Sequence, residues 1–208
     1  VTEEDARDWL NAALDVPRGT LDRIKAFLTL LKEEGSRQNL ISASTLDHVW
    51  ARHVVDSAQL IPLAEERSGD WLDLGSGAGF PGLIIGALTQ RQVTLVESRR
   101  KRCAFLEAAI ETLGVGDRVS LRSARVETLP STAFSVISAR AFAPLDRLLD
   151  VAQRFSTAET LWLLPKGRNA PNELDAARTS WQGDFRIAPS ITDPDSAILI
   201  LSDVRRRR

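Results

Sequence analysis

The sequence predicts an α/β fold: a mostly parallel sheet flanked by helices, closed by a C-terminal antiparallel hairpin and preceded by an N-terminal helical extension. Three observations predict it. A short apolar run, Trp71-Leu72-Asp73-Leu74, enters the glycine-rich turn Gly75-Ser76-Gly77-Ala78-Gly79-Phe80-Pro81-Gly82 and then apolar Leu83-Ile84-Ile85, which reads as strand, tight loop and helix. Downstream, strand-length apolar runs alternate with helix-period segments, the pattern of parallel βαβ units. Upstream, three helical patterns come before any strand.

Each element has its own signal. Ala6, Trp9, Leu10, Ala13 and Leu14 recur at helical spacing behind Thr2, a candidate N-cap. Thr20 opens a second helix carrying Leu21, Ile24, Phe27, Leu28 and Leu31, stopped by Gly35. A third runs from Ser44 through Val49, Trp50, His53, Val54 and Leu60 and ends before Pro62. After the glycine loop, Val93 to Glu97 is a second strand, and the segment from Ser98 through Leu113 a helix that Gly114 ends. Val119 to Leu121, Phe134 to Ser138 and Thr160 to Leu164 read as further strands, Leu145 to Phe155 and Ala170 to Trp181 as helices. Phe185 to Ile191 and Ala197 to Val204 form a hairpin about the turn-rich Thr192-Asp193-Pro194-Asp195. The expected organisation is a helical extension over residues 1–66 packed on a body of residues 67–204, with a mobile basic tail at 205–208.

Composition narrows the setting. The 208 residues, 43% of them hydrophobic, suffice for one sizeable core and an appendage. A net charge of −1 supplies no global field toward nucleic acid, so any such contact must come from local patches. The single cysteine, Cys103, excludes an internal disulfide and a thiolate-rich zinc site, and favours a reducing compartment. The acidic N-terminus has no apolar signal core, no run is long enough to span a membrane, and a cytoplasmic protein is expected. His48 and His53, five residues apart, miss the one-face spacing of a metal pair, so no metal site is expected.

The glycine loop and Glu97 describe a nucleoside site. Glycines let the backbone take positive φ and let a ligand lie against the main chain, the following helix turns its positive end to the same spot, and Glu97 ends the next strand where nucleotide folds place the acid that bonds ribose hydroxyls. Gly77-x-Gly79-x-x-Gly82 also matches the dinucleotide fingerprint literally, which keeps an NAD-dependent oxidoreductase open. Asp73, at the end of the first strand, favours instead a ligand with cationic groups, such as the amino group and sulfonium of S-adenosylmethionine. Alternating βα units with a terminal hairpin then give the Rossmann-like class I S-adenosylmethionine-dependent methyltransferase fold.

Five stretches, Asn39-Leu40, Arg52-His53-Val54-Val55-Asp56-Ser57, Asp73 to Gly82, Ser138-Ala139-Arg140-Ala141-Phe142 and Lys166-Gly167, resemble in order and spacing the glucose-inhibited division protein B family. That family comprises bacterial methyltransferases acting on N7 of one guanine in 16S, small-subunit, ribosomal RNA. The resemblance implies S-adenosyl-L-methionine as cofactor and 16S ribosomal RNA or the small ribosomal subunit as partner. It also implies that Gly75 and Phe80 contact the cofactor, that Val126 and Glu127 hold its adenine side, and that Arg140 lies at the junction of cofactor and substrate.

Absent groups agree with this chemistry. Ser138 to Phe142 stands where amino-group methyltransferases of adenine or cytosine carry an Asn/Asp-Pro-Pro-aromatic motif, and Cys103 lies in a helix, away from a nucleophile's place. Guanine N7 exposes a lone pair, so attack on a sulfonium methyl needs no base, metal or covalent intermediate, and alignment alone can be worth about 7–11 kcal/mol. Arg140 is the first candidate for anchoring, because its guanidinium keeps its charge and offers a planar fork. Lys166 is a candidate phosphate contact, Phe142 a candidate stacking surface for the target base, and Arg99 and Arg100, with Lys101 and Arg102, a candidate RNA patch, although such charge runs are commonly solvated helix faces. A monomer is expected. A non-catalytic RNA-binding or assembly factor retaining the cofactor pocket is the remaining alternative.

Overall fold

The computed structural model describes residues 1–207 and holds a seven-stranded sheet in the order β3-β2-β1-β4-β5-β7-β6. The strands β1 (Trp71–Leu74), β2 (Val93–Glu97), β3 (Val119–Ser123), β4 (Val136–Ala139) and β5 (Leu161–Lys166) are parallel, and β6 (Trp181–Pro189) and β7 (Ala197–Arg206) form the antiparallel hairpin at one edge. Strand order reverses between β1 and β4, so the loops leaving these two strands part and open a crevice beyond their carboxyl ends.

Period-two alternation sorts the strand side chains between two cores. Trp71 faces the core shared with α5 (Gly82–Leu88) and α6 (Arg100–Leu113), while Leu72 and Leu74 face α7 (Leu145–Ala152) and α8 (Ala170–Ala177). The first core also takes Leu10 of α1 (Glu3–Leu14) and Ile24, Phe27 and Leu31 of α2 (Arg18–Gly35), so the N-terminal extension and the body are packed as one. The Phe27 ring lies 5.6 Å from Phe80 and 6.2 Å from Phe105. Thr2 caps α1 as expected, with a capping box to Asp5.

The third expected helix is broken. Ala43–His48 is a 3₁₀ segment, Trp50–Val55 is π-helical, and α3 (Asp56–Ala58) and α4 (Leu60–Leu63) follow. In the π segment every residue but Arg52 is buried, and a segment buried on nearly all sides lacks the one-face apolar stripe that identifies an α-helix. Its first N–H groups, at Trp50 and Ala51, donate to the Glu3 carboxylate at 3.1 and 2.9 Å. Pro62 lies inside α4 rather than beyond it, at a first-turn position that needs no intrahelical donor. The helix from Ala170 stops at Ala177, and Trp181 opens β6 instead, its indole N–H donating to Asp146 at 2.8 Å. The basic tail starts later than expected, because Arg206 and Arg205 pair with Trp181 and Gln182 across the hairpin. Arg206 also lies against Asp150 and over the Trp181 ring. The expectation for Arg208 falls outside the described residues.

Candidate active site

The glycine loop is held from beneath. Asp73, fully buried on β1, accepts from the Ser138 hydroxyl on β4 at 2.8 Å and from the Gly82 N–H at 3.3 Å, and Ser138 in turn accepts the Trp71 indole N–H at 2.8 Å. Burial raises the Asp73 carboxyl above its ordinary range, opposed by these donors. Gly82 is required where α5 meets this group: a Cβ there would stand 2.3 Å from Leu95 and 2.8 Å from the Asp73 carboxylate. Asp73 lines neither cavity of the crevice, and its bond from Gly82 fixes the loop at the head of α5.

Glu97 holds the loop from the other side. Its carboxylate accepts N–H groups from Ser98 and Arg99 at 2.7 and 2.8 Å and from Gly77 at 3.2 Å, with Arg102 at 3.8 Å. A carboxylate has about four lone-pair sites, so these three bonds leave room for a hydroxyl. Glu97 lines a cavity of about 360 Å³ together with Gly75, Arg102, Val126, Glu127 and Phe142, among others. Gly77 and Gly79 shape the loop but do not line this cavity, and a Cβ on Gly79 would meet Leu83 at 2.2 Å. The residues present fit S-adenosylmethionine: a carboxylate for ribose hydroxyls, buried Val126 for a flat ring, and Arg102 and Arg125 set 3.8 Å from Glu97 and Glu127.

A second cavity, of about 650 Å³, adjoins the first. Both are lined by Ala141 and Phe142 of the β4–α7 loop, which therefore forms the partition between them. The Phe142 ring lies over Gly75, where a Cβ would be 2.4 Å from it, and Ala141 takes a left-handed φ of 52°. Such a conformation is uncommon for a residue with a Cβ and aims the following side chain across the crevice.

Arg140 and Lys166 both line the larger cavity, and both are engaged. Arg140 donates to Asp56 and to the Arg52 carbonyl, each at 3.3 Å, and its guanidinium lies 5.1 Å from the centroid of the Phe80 ring. Phe80 is buried between Arg140, His53 and Phe27 and lines neither cavity, so its ring braces the site from behind. Lys166 donates to Glu173 at 2.8 Å and to the Ala143 carbonyl at 3.1 Å, which positions the β4–α7 loop and engages two of its three donors. Arg99 and Arg100 are exposed at the start of α6, with Arg99 on the edge of the smaller cavity.

Sequence reasoning passed over two contributors, Asp56 and Glu173, and placed His53 within the third helical pattern. Asp56 binds Arg140, and its other oxygen accepts from Gln59 at 3.0 Å and from Thr192 at 3.1 Å, tying the helical extension to β4 and to the β6–β7 turn. Glu173 takes the Leu145 N–H at 2.9 Å as well as Lys166. His53 stacks on Phe80 with centroids 5.0 Å apart and its Nε2 lies 2.8 Å from Thr45 Oγ1; burial, with Arg140 and Arg52 nearby, pushes it down to about 3. The short polar stretch Arg52 to Ser57 was visible, but nothing in it names Asp56's partners. Among the described residues no cluster of His, Cys, Asp and Glu could hold a metal ion, and no helix is long and apolar enough to cross a membrane.

Comparison with known proteins agrees with this geometry. Residues 20–193 match the family model described as rRNA small subunit methyltransferase G. Proteins named ribosomal RNA small subunit methyltransferase G from Rhizorhabdus wittichii and Zymomonas mobilis are 53% and 48% identical, each match covering 100% of this chain and 95% and 97% of the relative. Among solved structures, a variant of MtNAS in complex with S-adenosylmethionine superposes with a TM-score of 0.60 at 19% identity, over 97% of this chain and 84% of that one. A ribosomal protein L11 methylase from Lactobacillus delbrueckii gives 0.59 at 14% identity, over 76% and 79%. At these identities the structures speak for the fold alone.

Proposed function

This chain belongs to the rRNA small subunit methyltransferase G family, and from that premise we propose that it transfers a methyl group from S-adenosylmethionine to N7 of a guanine in 16S ribosomal RNA. The observation that carries the reading is the pair of cavities meeting at Ala141 and Phe142, one furnished for a nucleoside, the other of mixed polar and apolar lining and open to a second reactant.

S-adenosylmethionine, when bound, supplies a sulfonium-activated methyl group. Glu97 holds hydroxyls, and Val126 and Glu127 flank the adenine side. Arg140, kept in place by Asp56 and Phe80, lines the acceptor cavity. In the transfer the N7 lone pair forms the new N–C bond, the C–S pair leaves with sulfur, and the positive charge passes to the base. No proton moves, which suits a site whose histidine is buried and held neutral. The work of the protein is alignment and exclusion of water.

RNA contact falls to local charge. Arg100, Lys101 and Arg102 occupy the first turn of α6, the end at which a helix disfavours cations. Their cluster beside the cofactor cavity is supported as a phosphate-binding edge by that local cost, and with Arg99 it forms the proposed RNA patch. A cytoplasmic monomer is the proposed setting.

The test is transfer of labelled methyl from S-adenosylmethionine to small-subunit RNA or to whole subunits, with the label mapped by cleavage at N7-methylguanine. Label confined to protein, or at a position other than a guanine N7, would refute the proposal.

A further inference from the structure

The larger cavity contains two carboxylates, and they are not equivalent. Both Asp56 oxygens are engaged, one by Arg140 and the other by Gln59 and Thr192. Glu173 has Oε2 doubly engaged, by the Leu145 N–H and Lys166, while its Oε1 accepts no hydrogen bond among the described residues. The first bond ties Glu173 to Leu145, three residues after Phe142, and Lys166 also donates to the Ala143 carbonyl of the β4–α7 loop. An acceptor oxygen is thus held on the wall of a cavity whose partition toward the cofactor is that loop.

We propose that this cavity admits the target guanine, swung out of its stack, and that Glu173 is a specificity-determining residue whose Oε1 accepts the base's exocyclic 2-amino group. The proposal rests on the guanine-N7 reading above and deepens it. A base presented with N7 toward the partition turns its amino edge to the opposite side of the ring, and enzymes that act on an extruded base read that edge by hydrogen bonds. A carboxylate accepts and cannot donate, so it selects guanine over adenine, which carries no 2-amino donor and presents a bare N1 acceptor instead. Pro144 and Pro165 supply apolar walls for the ring faces. Lys166 acts through Glu173, keeping the carboxylate turned so that only one oxygen is free.

The experiment compares two small-subunit RNAs, one with guanine at the mapped position and one with inosine, which keeps N7, O6 and N1–H and lacks only the amino group. The wild-type enzyme is expected to methylate the inosine RNA at least tenfold more slowly. In Glu173→Gln, the amide oxygen is retained by Lys166 and the Leu145 N–H and its NH₂ group faces the cavity, donor against donor. The guanine rate is expected to fall tenfold or more and the guanine-to-inosine ratio to approach one, with S-adenosylmethionine affinity unchanged. Equal wild-type rates on the two RNAs overturn the proposal without any variant, and so does a wild-type ratio in Glu173→Gln. Absence of transfer to either RNA by the wild-type enzyme overturns the underlying reading, and the proposal with it.

Discussion

Arg140 Nη1 stands 3.3 Å from Asp56 Oδ2, joining the end of a central strand to the helical extension in a pair whose side chains are only 21% and 15% exposed. Truncating one member leaves the other charged and poorly hydrated, a change that costs about 3–5 kcal/mol for fully buried pairs and less here. Asp56→Ala is expected to lose about 2 kcal/mol in urea unfolding and most methyl transfer. Asp56→Asn, which keeps an acceptor for Arg140, should retain more of both.

His53 gives a pH dependence of defined sign. Its folded value, about 3, lies below the ordinary 6.5, so the unfolded chain binds more protons between these values and stability rises with pH. The contribution is complete above 6.5 and is lost as pH falls toward 3, at no more than about 1.4 kcal/mol per pH unit. His53→Gln should remove it, so that wild type loses ground to the variant from pH 6.5 downward in parallel unfolding titrations.

The chain Trp71 to Ser138 to Asp73 is sealed from solvent. Ser138→Ala leaves an indole N–H without a partner and strips a donor from a buried carboxylate, for a loss of about 2–4 kcal/mol. Because the Asp73 carboxyl is raised and Ser138 is among the donors that lower it, its removal should push Asp73 further up. The variant's deficit should then shrink as pH falls toward the ordinary carboxylate range, which unfolding at several pH values will read.

Glu97→Ala removes acceptors for Gly77, Ser98 and Arg99 at once. Hydrogen bonds to a charged group are worth about 1.5–3 kcal/mol, so S-adenosylmethionine affinity measured by calorimetry should fall by roughly one to two orders of magnitude. An unchanged affinity would remove Glu97 from the ribose contact.

The sheet, its hairpin and the glycine loop were legible because each is written locally, in alternation, helical period and Gly or Pro at a turn. Gly75, Val126 and Glu127 line the smaller cavity, and Arg140 the larger one. What was not legible has one physical origin: which way a side chain faces depends on partners distant in the chain. Asp73 and Glu97 each end a strand beside the same loop, yet one is buried beneath it and the other borders a cavity. The engagement of Lys166 was hidden because Glu173 lies on the next helix, and the packing of Phe80 because Phe27 lies more than fifty residues away. The π-helical stretch was hidden for a related reason, since burial on nearly every side blurs the stripe that periodicity detects.

A dividing wall one aromatic ring thick makes the two compartments thermodynamic neighbours. Whatever displaces Phe142 from Gly75 on one side reshapes the volume on the other, and any such influence is reciprocal. Donor and acceptor should therefore be felt by each other before they touch, and the affinity of either should depend on whether the other has already arrived.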